Sequence, residues 1–183
     1  MKKAIFLDRD GVLNEDTLYP HKIEHLKLLP GVIEGLRKLS KDYIFIIVTN
    51  QSGIGRGIFT EKDFHNFNNH LVSKLRKAGI EIKKTYHCPH HPDENCDCRK
   101  PNTKNIINAA KEFNIDLKNS WTISDHPPDI EMGLNAGTKT IFMLTGHGKE
   151  HIDEIKRESL NPDFIAENFL QAAEWILKND KLK

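Results

Sequence analysis

Two carboxylates, Asp8 and Asp10, stand one residue apart, behind the apolar run Ala4-Ile5-Phe6-Leu7 and ahead of Gly11. Like charges that close repel, so the pair calls for a cation or for a proton shared in catalysis. Three other places carry related chemistry: Thr49-Asn50-Gln51-Ser52, Arg99-Lys100, and Asp125-His126 with Asp129 four residues on. Carboxylate oxygens suit Mg²⁺, which keeps several waters and bridges to phosphate. One aspartate can attack phosphorus and carry it as an aspartyl phosphate, while a second protonates the leaving oxygen and later deprotonates a water. Lys100, Thr49 and loop amides can offset charge on the equatorial phosphoryl oxygens. Together these are the parts of a phosphoryl-transfer site. Each also has a plainer reading. Asp125 and Asp129 could cap a helix, Thr49-Asn50 could be a strand-to-loop turn, and Lys100 could be a solvated cation.

A second constellation lies between residues 87 and 98. Cys88, Cys96 and Cys98 fall within eleven residues, an odd and clustered set that points to a metal rather than to disulfides. In extended chain, residues i and i+2 face the same way, so Cys88 with His90 and Cys96 with Cys98 form two clamps. Three thiolates and one imidazole fill a tetrahedral Zn²⁺ site with no open position, which makes the site structural. His91 falls on the opposite side, and His87 is a weaker rival for the fourth position. The competing reading is three reduced cysteines packed as small apolar residues. Cys98 directly precedes Arg99-Lys100, so a fixed loop also fixes two cations.

These groups need a scaffold that brings them together. Short apolar runs at residues 4–7, 43–48, 82–88, 121–123, 140–144 and 163–165 predict strands. Between them, helical spacing predicts helices over 32–41, 61–78, about 102–113, 129–136 and 169–177. Strands alternating with helices of ten or so residues indicate an α/β, doubly wound, Rossmann-like parallel sheet, with residues 1–183 as one domain. Such sheets bind ligands at the carboxyl ends of their strands, where Asp8, Thr49 and Asp125 all fall. Residues 14–27, 52–59 and the zinc loop should cover the crevice. Gly146-His147-Gly148 and His151 read as a surface turn.

Composition narrows the class. The chain has 183 residues, 38% hydrophobic and 29% charged, which describes a globular domain and not a disordered one. A net charge of +1 gives no general electrostatic reason to bind nucleic acid or an anionic membrane. Asp8 interrupts the first apolar run too early for a signal sequence, and no segment nears the ~18 apolar residues of a span. A cytoplasmic protein is expected. With no heptad pattern or sticky face, it should be a monomer.

Asp8-Arg9-Asp10-Gly11-Val12, Thr49-Asn50, Lys100 and Asp125 with Asp129 resemble the four ordered motifs of the haloacid-dehalogenase (HAD) superfamily of phosphatases. The resemblance implies a capless HAD-like fold, with Asp8 as nucleophile and Asp10 as general acid/base. It implies Mg²⁺ on Asp8, the Asp10 backbone carbonyl and Asp125, with Thr49, Asn50 and Lys100 on the phosphoryl group. The zinc loop ahead of Arg99-Lys100-Pro101 resembles the branch of heptose bisphosphate and histidinol-phosphate phosphatases, and residues 49–60 resemble the heptose side more closely. A heptose bisphosphate is therefore the leading substrate and histidinol phosphate the second. The same glycine-rich loop also resembles polynucleotide kinase-phosphatases, which makes a polynucleotide 3′-phosphate the third, and a non-enzymatic, zinc-stabilised phosphate-binding module is the alternative outside the enzymes. Gln51, Ser52, Arg56, Arg99 and His126 are further candidates for substrate contact, the arginines for a second anionic group. Two positions depart from the pattern: Ser124 replaces a glycine and His126 a lysine. With an ordinary titration near ~6.5, His126 would lend the phosphate site only partial charge at neutral pH.

Overall fold

The computed structural model describes residues 1–180. Six strands, β1 (Ala4–Leu7), β2 (Ile44–Asn50), β3 (Ile82–Cys88), β4 (Trp121–Ser124), β5 (Lys139–Met143) and β6 (Phe164–Ala166), form one parallel sheet in the order β3-β2-β1-β4-β5-β6. The winding reverses at β1, which pairs with β2 on one side and β4 on the other. Leu7 is in register with both Ile47 and Ile123, so the three central strands end nearly level. Asp8, Thr49 and Asp125 consequently share one edge, at the switch point where open α/β sheets leave a crevice.

Among the described residues, seven α-helices accompany the sheet: α1 (Val32–Leu39), α2 (Ser52–Gly55), α3 (Glu61–Lys77), α4 (Lys104–Phe113), α5 (Pro127–Ala136), α6 (Gly148–Arg157) and α7 (Phe169–Asp180). Alternate residues of β1 feed opposite cores. Ile5 and Leu7 pack with Leu36 of α1, Leu71 of α3 and Ala173 of α7, whereas Ala4 and Phe6 pack with Ile106 of α4 and Met132 of α5. That explains the unbroken apolar run, since a strand covered on both faces has no solvent side to mark with polar residues. Local chemistry sets the helix ends. Thr60 and Asp63 form a reciprocal capping box at the start of α3, Pro127 opens α5, and Gly137 closes α5 at φ +78°.

The predicted doubly wound sheet is therefore observed, with two additions. Residues 52–55 close into the single turn of α2. Gly148 and His151, read as part of a surface turn, instead belong to the ten-residue helix α6, which buries Ile155 against Ile130 and Phe142. No helix among the described residues is long and apolar enough to cross a membrane.

Candidate active site and metal centres

Asp8 leaves β1 at its carboxyl end and is 7% exposed. Its Oδ1 accepts the Arg9 backbone N–H at 2.7 Å and lies 3.1 Å from Lys100 Nζ; Ser124 Oγ lies 3.5 Å from Oδ2. Lys100 arrives from the loop after β3 and is anchored three times, once by a bond from Nζ to the Val48 carbonyl at 3.3 Å. Its backbone N–H donates to Asn50 Oδ1 at 3.2 Å, and its Nζ donates to Asp129 Oδ1 at 2.6 Å. Asp129 is thus a buried partner of the lysine and does not cap α5 with its side chain. Burial alone would lower Lys100, but Asp129 and then Asp8 outweigh it and hold the ammonium above the ordinary lysine range.

Asp125 follows β4 and is fully buried. Its Oδ2 accepts the His147 backbone N–H at 2.9 Å, while its Oδ1 has no protein partner. Burial, and next the charge of Asp8, push its carboxyl up to about 8. An orphaned buried oxygen on a carboxylate forced upward by a second carboxylate is what a divalent cation relieves, so Asp8 and Asp125 fit Mg²⁺. Gly11 and Gly146 frame the position. Both have positive φ, +77° and +51°, and a Cβ on either would collide with the Asp125 carboxylate.

Asp10 accepts four hydrogen bonds on its two oxygens, two of them from Arg9. Gln51 Nε2 donates to Asp10 Oδ2 at 3.0 Å and to Thr49 Oγ1 at 2.9 Å, joining the ends of β1 and β2. A cavity of about 320 Å³ opens over this floor. Asp8, Asp10, Thr49, Asn50, Gln51, Ser52, Arg99, Lys100 and His126 all line it. Arg99 has a buried Nη1 with no protein partner.

Three predicted details change. Arg56 is exposed and does not line the cavity, because the turn of α2 packs Gly53 against Phe59 and Tyr19 and leaves Arg56 in solvent. His126 lines the cavity, but burial pushes its imidazole down to about 4, so it is neutral at pH 7 and lends no charge there. His147 belongs to the site, lining the cavity and bonding Asp125 through its backbone. Its signal in the sequence was weak, a lone histidine between two glycines. Asp16, Leu18, Tyr19 and Pro20 supply another wall from the loop that residues 14–27 were expected to form.

In the loop after β3, Cys88 Sγ lies 3.5 Å from His90 Nδ1 and 3.5 Å from Cys96 Sγ; Cys98 Sγ lies 3.3 Å from His90 Nδ1 and 3.8 Å from Cys96 Sγ. A tetrahedral Zn²⁺ with Zn–S near ~2.3 Å sets its ligand atoms about 3.5–3.8 Å apart, so the four donors fit the ion. Burial pushes the Cys88 thiol up to about 12, a state that a cation would reverse. His91 and His87 lie outside the cluster, His91 beside Asp93 and His87 beside Glu61.

The fold and these motifs define a class: the chain belongs to the HAD-like hydrolases and is a phosphatase. A family model described as HAD-hydrolase-like matches residues 97–172. Within the class, the chain is similar to the D-glycero-alpha-D-manno-heptose-1,7-bisphosphate 7-phosphatase of Campylobacter jejuni, 43% identical over 149 residues that cover 81% of this chain and 86% of the relative. It is also similar to the beta-anomer enzyme of Haemophilus influenzae, 41% identical over 154 residues covering 80% and 84%. Among solved structures, D,D-heptose 1,7-bisphosphate phosphatase from B. bronchiseptica, complexed with magnesium and phosphate, superposes with a TM-score of 0.87 at 28% identity, covering 97% of this chain and 99% of that one.

Proposed function

We propose that this phosphatase removes the 7-phosphate of a D-glycero-D-manno-heptose 1,7-bisphosphate through a phosphoryl group carried on Asp8. The observation that carries the reading is the convergence of Asp8, Asp10 and Lys100 on one cavity, with Asp125 buried at the same sheet edge, in a chain over 40% identical to enzymes named for that reaction.

An Asp8 carboxylate oxygen attacks phosphorus and the bond to the sugar oxygen breaks. Asp10 gives its proton to that oxygen. A water then loses a proton to Asp10 and attacks phosphorus, and the bond to Asp8 breaks to release inorganic phosphate. Lys100, Thr49 and Asn50 hold the equatorial oxygens in place and offset their charge. Asp8, Asp125 and the Asp10 backbone carbonyl would hold Mg²⁺, which supplies charge neutralisation at the phosphoryl group. Cys88, His90, Cys96 and Cys98 would hold Zn²⁺, which stiffens the segment carrying Arg99 and Lys100. Arg99, with its unpartnered buried Nη1, takes the second phosphate; Gln51, Ser52 and His126 line the sugar path without charge. On this reading the protein is a cytoplasmic, single-domain monomer.

The test is phosphate release with Mg²⁺ from both anomers of the heptose bisphosphate, from histidinol phosphate and from a 3′-phosphorylated oligonucleotide. Phosphorus NMR should find the heptose 1-phosphate as product. Preference for either other substrate would overturn the assignment.

A further inference from the structure

Arg9 is fully buried beside this site, 0% exposed although it sits between the two motif aspartates. Its guanidinium lies against two rings of α3, with Cζ 4.7 Å from the Phe67 centroid and 5.4 Å from that of Phe64. It grips Asp10 by both oxygens: Nε donates to Oδ1 at 2.9 Å and Nη2 to Oδ2 at 2.7 Å. Asn14 Nδ2 adds a bond to Oδ1 at 2.9 Å and Gln51 Nε2 one to Oδ2 at 3.0 Å. Nη2 also donates to Gln51 Oε1 at 3.1 Å and to the Pro20 carbonyl at 3.2 Å, so the clamp reaches β2 and the cavity wall.

A guanidinium keeps its charge in proteins, and a buried one needs a partner. Among the described residues its ion-pair partner is Asp10. All four donors to Asp10 are served by carboxylate oxygens, so a proton placed on either oxygen must displace one of them. The four bonds hold the carboxylate in one orientation. From this, and resting on the phosphoryl-Asp8 reading above, we propose that Arg9 is a positioning residue for the second half-reaction. It fixes Asp10 as the carboxylate that takes the proton from the hydrolytic water as that water attacks phosphorus and the bond to Asp8 breaks. Protonation of the sugar oxygen in the first half-reaction requires Asp10 to open one of the other bonds, with Asn14 or Gln51.

The two halves respond differently to a good leaving group. p-Nitrophenolate departs without a proton, so kcat/KM for p-nitrophenyl phosphate reports formation of the phosphoenzyme without acid assistance. Turnover still needs the base. In Arg9→Gln and Arg9→Lys, kcat for p-nitrophenyl phosphate is expected to fall by roughly 10²-fold and about tenfold respectively, while kcat/KM changes less than about threefold and a pre-steady-state burst of p-nitrophenolate emerges. Gln51→Leu removes one donor from the same carboxylate and one acceptor from Nη2 but leaves the guanidinium and its bidentate grip on Asp10 in place, and should show the same signature more weakly if Arg9→Gln does not fold. A parallel fall of kcat and kcat/KM without a burst in Arg9→Lys and Gln51→Leu, or an unchanged kcat, overturns the proposal. Asp8→Asn separates the two ideas: if it still releases p-nitrophenolate at the native rate, the phosphoryl-Asp8 reading fails, whatever Arg9 does.

Discussion

Lys100 Nζ and Asp129 Oδ1 lie 2.6 Å apart with both side chains 3% exposed, and the same ammonium stands 3.1 Å from Asp8 Oδ1. The lysine is therefore held between a buried structural carboxylate and the proposed nucleophile. Removing one partner of a buried pair strands the other charge, at a cost of about 3 kcal/mol or more. Asp129→Asn keeps the volume and removes the charge. We expect it to lower stability by about 3 kcal/mol in denaturant unfolding and kcat/KM by roughly 10²-fold, because Lys100 then pairs with Asp8 alone. A variant with native midpoint and activity within threefold would show that Asp129 is a bystander.

The raised carboxyl of Asp125 predicts how magnesium binding depends on pH. In the metal-free protein this group is shifted from its ordinary 3.8 to about 8, so the folded state holds the proton more tightly than the unfolded chain. Stability of the metal-free protein should then fall as pH rises from about 4 to about 8. A cation needs the ionised form and must expel that proton. Affinity for Mg²⁺ is expected to rise about tenfold per pH unit up to about pH 8 and to level off above it, with close to one proton released at pH 6. Calorimetry in buffers of different ionisation enthalpy reads the proton directly. Pronounced pH dependence of this shape surviving in Asp125→Asn would assign it elsewhere.

Stripping zinc should act on binding and on the fold before it acts on chemistry. Cys88 ends β3 and Cys98 directly precedes Arg99-Lys100, so on the proposed zinc reading loss of the ion frees the approach of both cations. We expect a fall in Tm of about 5 °C or more and a rise in KM of roughly tenfold, with kcat much less affected, after chelation verified by metal analysis. Full activity and unchanged melting in the zinc-free protein would contradict this. Cys96→Ser should reproduce the direction of both changes.

What could be read from the chain and what could not divide along physical lines. The strands were legible because a sheet covered on both faces turns its residues into apolar runs, as in Ala4–Leu7 and Ile44–Val48. The site was legible because each motif follows such a run, and parallel strands bring their carboxyl ends to one edge. Helix α6 was not, because only Ile155 and Gly148 are buried in it and its charged majority reads as loop. Arg56 misled because sequence gives the charge of a loop residue but not the turn that orients it. Arg9 was passed over for a related reason: an arginine beside two aspartates looks like a solvated neighbour until Phe64 and Phe67 are seen around it. His126 carried an ordinary histidine's titration in the sequence, and burial first, with Lys100, His151 and His147 adding to it, moves it down to about 4.

The central claim is that Asp8 carries the phosphoryl group between two displacements. The most direct measurement is acid quenching during turnover of the heptose bisphosphate, followed by mass spectrometry of the peptide around residues 3–22. The account predicts the added mass of one phosphoryl group on Asp8, absent from Asp8→Asn. A phosphoryl group on any other residue, or the native rate of phosphate release from Asp8→Asn, would contradict it.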